Sequence, residues 1–111
     1  ANPELVNRIA GDDMMRGCTI AANGFYGPQG RVLRCDIAVK DINDRITDFC
    51  YEGQRITNYE MEGSAIAGLS LLMGHKAMTV CCVIAQRKVE AANTDYKPRI
   101  KQLVQTVLER I

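Results

Sequence analysis

The sequence lacks several features that would assign it to a specialised class of protein. No apolar run approaches the roughly 20 residues that cross a bilayer, and the N-terminus has no basic and apolar leader pattern. Lysine and arginine are spread along the chain and the formal net charge is only +1, so no basic stripe favours nucleic acid as a partner. We therefore expect a cytoplasmic protein that binds neither membranes nor nucleic acid.

Metal and disulfide signals are also missing. The five cysteines are odd in number and contain no C-x-x-C pair, so we predict neither a disulfide framework nor a metal site, but buried free thiols. The one histidine, His75, follows Gly74 in a predicted turn, where contact with a helix end is more typical than catalysis. No nucleophile and base are paired in the sequence.

The composition is that of one folded domain. The chain has 111 residues, of which 47% are hydrophobic and 24% charged, close to the average for globular proteins. It lacks an initiator Met and opens on the helix-start pattern Ala1-Asn2-Pro3-Glu4, which suggests a piece of a longer protein. We expect a single unit over residues 1–111.

Hydrophobic periodicity predicts alternating helices and strands. Helices are expected at 2–11, 41–53, 61–74 and 98–111, with Asp41 as a cap and Gly53 as a terminator. Strands are expected at 18–21 and 55–59, and the apolar run 77–85 reads as a buried central strand. The stripe on the last helix should pack on the sheet. Alternation of this kind predicts a layered α/β fold with ligands at the carboxyl ends of the strands.

A glycine-rich loop at 23–31 carries the most informative side chains. Its glycines bend the backbone, so that Phe25, Gln29 and Arg31 can converge on a flat polar ring. An amide can pair with the N–H and a carbonyl of a pyrimidine, a guanidinium can donate to another carbonyl, and an aromatic ring can pack on the base. A plain surface turn with an arginine–backbone contact explains the same residues, and composition favours it.

Two carboxylates flank a methionine where the second strand passes into a helix. Glu62 can accept hydrogen bonds from two vicinal hydroxyls of a sugar and favour positive charge on its ring, with Glu60 and Met61 beside it. The alternative is that these acids only meet the positive end of the helix dipole, and unaided the sequence favours it.

A third polar group stands where the apolar run 77–85 ends. Ile84, Gln86 and Arg87 lie at this point, and a surface ion pair is the commoner fate of such an arginine.

Together, these stretches resemble the uridine phosphorylases of the nucleoside phosphorylase family. The matching residues, from about Gly17 to Arg87, are Phe25-Tyr26-x-x-Gln29-x-Arg31, Asn58-Tyr59-Glu60-Met61-Glu62 and Val83-Ile84-Ala85-Gln86-Arg87. The E-M-E motif is shared across the wider family, whereas the loop resembles the uracil-binding signature of the uridine branch. Gly63 departs from the Ser or Ala often found there, which we expect not to touch the chemistry.

The resemblance implies a three-layer α/β/α fold with a mixed central sheet, of which this chain is the C-terminal, base- and ribose-binding part. It implies an oligomer, a dimer or a hexameric ring of dimers, with uridine and inorganic phosphate as substrates and no cofactor. The substrate-binding residues it implies are Phe25, Gln29, Arg31, Glu60, Met61, Glu62, Ile84 and Arg87, with Gln29, Arg31 and Glu62 also catalytic. The family's phosphate site is not in this sequence, so we expect this stretch alone to be inactive.

The same residues also fit two other kinds of protein. A purine nucleoside phosphorylase or nucleosidase keeps E-M-E but needs an acid near the base, and Ile84-Ala85-Gln86-Arg87 offers none. A non-catalytic nucleoside-binding module would use the same pocket without phosphate. A phosphate-binding glycine loop with arginines upstream would favour the enzyme over the binding module.

Overall fold

The computed structural model describes residues 1–86 and 91–111, in which four α-helices and five short strands alternate along the chain. In chain order the elements are α1 (Pro3–Ile9), β1 (Cys18–Ala21), α2 (Ile42–Asp48), β2 (Cys50–Tyr51), β3 (Gln54–Glu60), α3 (Gly63–Leu72), β4 (Ala85–Gln86), β5 (Ala91–Ala92) and α4 (Lys97–Arg110).

The first helix begins and ends close to where the sequence predicts. The Asn2 Oδ1 atom accepts a hydrogen bond from the Leu5 amide at 3.1 Å, and Pro3 occupies the first turn. The helix ends at Ile9, two residues before Gly11. Its acidic residue Glu4 pairs with Lys76.

A three-stranded mixed sheet forms the centre of the fold, with β3 between the other two strands. β1 runs parallel to β3, with Ala21 opposite Glu60, and β2 runs antiparallel to β3. Both strands predicted at 18–21 and 55–59 are therefore confirmed, and the fold is mixed α/β. The expected three layers stay a prediction.

Gly53 serves a hairpin and not a helix. α2 ends at Asp48, and the two-residue loop Glu52-Gly53 joins β2 to β3. Both loop residues have positive φ, 48° and 76°, as a tight type I′ hairpin turn requires. The prediction of a helix up to Gly53 was wrong, because the same glycine conformation suits either a helix end or a tight turn.

The third helix is shorter at its start than the periodicity predicts. α3 begins at Gly63 behind the cap residue Glu62, so Met61 precedes the helix and was wrongly assigned to its face. Its end is confirmed at Gly74, whose φ is 72°, with the His75 amide donating to the Ser70 carbonyl at 2.7 Å.

The predicted central strand at 77–85 is not present. Only Ala85 and Gln86 pair, with β5, while residues 77–84 have no regular structure. A buried strand needs hydrogen-bonded neighbours, and none of the described strands pairs with residues 77–84. A cavity of about 1270 Å³ is instead lined by this segment together with parts of β1, α1 and α4.

The hydrophobic core is correspondingly small. Among the described residues only Ile9 and Ala22 are buried hydrophobics, with 3% and 6% of their surface exposed. The α4 stripe does not pack on the sheet, since Val104 and Leu108 are exposed. The prediction of buried thiols was also wrong: three of the five cysteines are exposed and two are half-buried.

Candidate functional site

The parallel pairing of β1 with β3 brings two of the three predicted motifs to one edge of the sheet. β1 ends at Ala21, opposite Glu60 at the end of β3, and the Ala22 amide donates to the Glu60 carbonyl at 2.8 Å. The loop 23–31 and the Glu60-Met61-Glu62 segment therefore leave the sheet from the same side. This is the carboxyl edge, where ligands bind in open α/β sheets.

Phe25, Gln29 and Arg31 converge within the loop, as the sequence predicts. The Arg31 Nη1 atom donates to Gln29 Oε1 at 3.0 Å and to the Phe25 carbonyl. The guanidinium carbon lies 3.7 Å from the centre of the Phe25 ring, a cation–π geometry. The arginine–backbone contact that a plain surface turn would show is therefore present, and so is the convergence of Phe25, Gln29 and Arg31.

The backbone of this loop holds the three side chains in place. Residues Gly27–Gln29 form a 3₁₀ turn, which ends on Gly30 with φ of 73°. The Asn43 side-chain amide donates to the Gly30 carbonyl at 3.2 Å, which fastens the loop to α2. Gln29 is only 4% exposed, so its amide is fixed from within the protein.

Aromatic packing adds a second support. The Phe25 and Tyr26 rings meet edge to face with centroids 5.2 Å apart, a favourable arrangement. About half of each residue's surface is exposed. Both rings are therefore next to solvent, and the Phe25 ring also contacts the Arg31 guanidinium.

Glu60 and Glu62 have different surroundings. The Glu60 Oε2 atom accepts hydrogen bonds from the backbone amides of Glu62 at 2.8 Å and Gly63 at 2.5 Å. Glu62 is exposed, and its carboxylate makes no hydrogen bond or ion pair with any residue of 1–86 or 91–111. Met61, between them, is 43% exposed.

A polar network links β1 and β3 where Thr19 lies opposite Asn58. The Asn58 Oδ1 atom accepts hydrogen bonds from the Thr19 hydroxyl at 2.9 Å and the Thr57 hydroxyl at 3.2 Å. Burial raises the pKa of the nearby Cys81 thiol, a hydrogen bond with Asn58 opposes the rise, and the charge of Glu60 adds to it. Cys81, although partly exposed, therefore lies beside Asn58 of β3.

The third motif is only partly described. Ile84 is 41% exposed, its carbonyl accepts a hydrogen bond from the Asn93 amide at 2.7 Å, and Gln86 lies in β4. Arg87 lies outside the described residues. The predicted roles of Ile84 and Arg87 stay predictions.

Two cavities near these motifs do not join all three of them. The cavity of about 1270 Å³ is lined by Glu60 and Gly63, and a second of about 720 Å³, beside the loop and α2, is lined by Arg31. Neither is lined by Met61, Glu62 or Ile84. No group of three or more His, Cys, Asp or Glu residues in the described ranges is placed to hold a metal ion.

Two residues near the site were missed from the sequence. Thr79 lies close to the start of α3, since a Cβ placed on Gly63 would come within 2.8 Å of its hydroxyl. Cys81 lies near Asn58 and Glu60. The only available signal for Thr79 was a hydroxyl within the otherwise apolar run 77–85.

Comparison with known proteins gives a partial match. The chain is 41% identical over 73 residues to uridine phosphorylase A of Schistosoma mansoni, and the match covers 64% of this chain and 24% of that protein. The chain thus spans about a quarter of the length of this relative. No protein-family model matches the sequence. No solved structure matches it either.

No described helix is long and apolar enough to span a membrane.

Proposed function

We propose that this chain forms the base- and ribose-binding part of a uridine phosphorylase, which cleaves uridine with inorganic phosphate to give uracil and ribose 1-phosphate. The observation that carries the proposal is the convergence of Phe25, Gln29 and Arg31 in one loop at the carboxyl edge of the sheet. The partial similarity to uridine phosphorylase A supports it independently.

The base would be recognised by the loop. The buried Gln29 amide is already oriented by Arg31, whose remaining N–H groups can donate to a uracil carbonyl. A fixed amide and guanidinium select a flat ring with adjacent donor and acceptor atoms. A purine leaving group would need an acid, and no acidic residue takes part in the described contacts of Phe25 or Arg31.

The ribose would be held by Met61 and Glu62. Because the Glu62 carboxylate is exposed, it can accept hydrogen bonds from two neighbouring hydroxyl groups of the sugar. Its negative charge also stabilises the positive charge that develops on the ribose ring as the glycosidic bond loosens. Glu62 would therefore act both in binding and in catalysis.

The reaction breaks the bond between the ribose C1′ and the uracil N1, and its electron pair stays on the base. Arg31 and Gln29 stabilise this anion by donating hydrogen bonds to its oxygen and nitrogen atoms. A phosphate oxygen then forms the new bond to C1′. The phosphate-binding residues and the partner subunits of a dimer or hexamer belong to the proposal and are assigned to no residue of this chain.

The first experiment is uracil release from uridine by the full-length protein, followed by absorbance, with and without inorganic phosphate. Phosphate-dependent release supports the proposal. Release that is independent of phosphate contradicts it in favour of a hydrolase, and uridine binding without release contradicts it in favour of a binding protein. A parallel reaction with inosine tests the purine alternative.

A further inference from the structure

The contacts at the start of α3 give the two carboxylates of the E-M-E motif different roles. Glu62 occupies the cap position of α3, yet its side chain makes no capping hydrogen bond. The Glu60 carboxylate supplies the cap instead, because its Oε2 atom accepts from the Glu62 and Gly63 amides at 2.8 and 2.5 Å. The positive end of the helix dipole stabilises the charge of Glu60 at this place.

The Glu60 carboxylate and the Thr79 hydroxyl both border the space at Gly63. A Cβ at this position would lie 2.9 Å from Glu60 Oε1, 3.0 Å from the Glu60 carboxyl carbon and 2.8 Å from the Thr79 hydroxyl. At these distances one of the groups must move, and both are the ends of flexible side chains that can shift. The helix has a second glycine, Gly68, where an added Cβ meets nothing within 4 Å, so the crowding is specific to the first turn.

We infer that Glu60 is a positioning residue that fixes the Glu60-to-Gly63 turn and so sets the direction of the Glu62 carboxylate. This inference rests on the proposed function, in which Glu62 holds the ribose. Glu60 then contributes to ribose binding only through Glu62 and makes no contact of its own with the sugar.

The cap itself is tested by hydrogen exchange in the full-length protein, measured by mass spectrometry over peptides that contain Glu62 and Gly63. Glu60→Ala removes the acceptor, and exchange of these two amides should accelerate about fivefold or more. Glu60→Gln keeps one carbonyl oxygen and should retain most of the protection. Unchanged exchange in Glu60→Ala overturns the inference whether or not the protein cleaves uridine.

The positioning role is tested by kinetics on uridine in a double-mutant cycle with Glu62. Glu60→Ala should lower kcat/KM by about fivefold to tenfold in the native background, but by less than about twofold in Glu62→Ala, because Glu60 acts through Glu62. Glu60→Gln should restore most of the activity. The inference is overturned in favour of direct contact between Glu60 and the sugar if the losses of kcat/KM in Glu60→Ala and Glu62→Ala add, or if Glu60→Gln does not restore activity.

Gly63 provides the second cycle. Gly63→Ala crowds the Glu60 carboxylate, whose end can shift, and should therefore lower kcat/KM by less than Glu60→Ala does and cost nothing further when Glu60 is already alanine. Gly68→Ala is the matched control and should leave kcat/KM unchanged. A loss from Gly63→Ala that is as large in the Glu60→Ala background as in the native background contradicts the inference. If the unmodified protein does not cleave uridine with phosphate, the proposed function fails and the kinetic role of Glu60 fails with it, whereas exchange still decides the cap.

Discussion

Arg31 makes three contacts from one guanidinium group: with the Gln29 amide oxygen, with the Phe25 carbonyl and with the Phe25 ring. These contacts fix its direction before a ligand binds, which is the condition for stabilising charge that develops in a transition state. The role of Arg31 therefore depends on its neighbours as much as on its own charge.

Arg31→Ala should lower the turnover of uridine by about 10²–10³-fold, because one preorganised donor to the leaving uracil is lost. The measurement is kcat for phosphate-dependent uracil release. Arg34→Ala is the matched control, since Arg34 is an exposed arginine shortly after the loop, and it should behave as the native protein. Near-native turnover of Arg31→Ala would contradict the assignment of the base site.

Phe25→Leu should raise KM for uridine about twofold to fivefold, because the cation–π contact at this half-exposed site contributes about 0.5–1 kcal/mol to holding Arg31. Tyr26→Phe keeps the edge contact between the two rings and serves as the control. Steady-state kinetics distinguish the two variants. An unchanged KM in Phe25→Leu would show that the ring does not position Arg31.

At the scale of residues, the sequence predicted that Phe25, Gln29 and Arg31 meet, but it did not predict that Glu60 caps a helix. Phe25, Gln29 and Arg31 lie within one short loop, so their convergence depends on local turn chemistry that glycine and proline reveal. The Glu60 carboxylate and the Thr79 hydroxyl, which are distant in the sequence, both border the space at Gly63. Contacts of this kind leave no trace in residue type or spacing.

At the scale of elements, the β2–β3 hairpin fixes the register of the strand that carries Glu60. Gly53→Ala should destabilise the protein by about 1 kcal/mol, because its φ of 76° is unfavourable for a residue with a Cβ. No atom lies within 4 Å of that added Cβ, so the cost comes from the backbone alone. The free energy of unfolding in urea measures it.

The neighbouring position gives the control for the hairpin. Glu52 also has a positive φ, 48°, and Glu52→Asn places there a residue that tolerates this conformation. This variant should be as stable as the native protein or slightly more stable. Equal stability of Gly53→Ala and the native protein would contradict the hairpin geometry.

The last helix is tied to the turn after α1 by a pair of parallel hydrogen bonds. Arg110 donates from both terminal nitrogens to the two Asp13 oxygens at 3.0 Å, and to the Ile9 carbonyl at 2.9 Å. The hydrogen bonds from Arg110 lower the pKa of the Asp13 carboxyl below its usual range. The docking of α4 should therefore depend on pH.

A carboxyl with a lowered folded-state pKa contributes stability above its unfolded pKa of about 4, and loses it as the pH falls through the folded value. Asp13→Asn should thus be less stable than the native protein at pH 7 and equally stable near pH 2. Urea unfolding at both pH values measures this difference. Asp12→Asn, at the adjacent exposed carboxylate, is the control, and a difference that persists at pH 2 would contradict the ion pair as its cause.

The elements that the sequence predicted correctly are those with local signals. α1 has its Asn2 cap, α3 ends on Gly74, and α4 keeps a helical period over its whole length. The predictions of a central strand at 77–85 and of α4 packing on the sheet were wrong. An apolar run becomes a central strand only beside partner strands, and an apolar helix stripe is buried only where another element covers it. Sequence periodicity reports which surface is apolar, but not what covers it.

At the scale of the whole molecule, the described residues bury little of their apolar surface. The radius of gyration is 15.4 Å, against about 13 Å for a compact domain of this length. Twenty large hydrophobic residues in the described ranges are exposed, and the cavity of about 1270 Å³ separates parts of the fold that carry apolar side chains. Burial of apolar surface is the main favourable term in folding, so these 111 residues provide weak stabilisation on their own.

The 111-residue chain by itself should therefore unfold in a shallow transition, with a urea slope below about 1 kcal/mol per molar, and should bind a hydrophobic dye such as ANS. It should also release no uracil from uridine with phosphate, because the proposed function assigns the phosphate-binding site to no residue of this chain. Circular dichroism, dye fluorescence and uracil absorbance measure the three properties on one sample. On the proposed function, the complete phosphorylase that contains this chain is the control, and it should show a steep transition, little dye binding and phosphate-dependent release. A steep transition of the short chain without dye binding would mean that its few buried residues suffice for a stable fold, and would contradict the prediction.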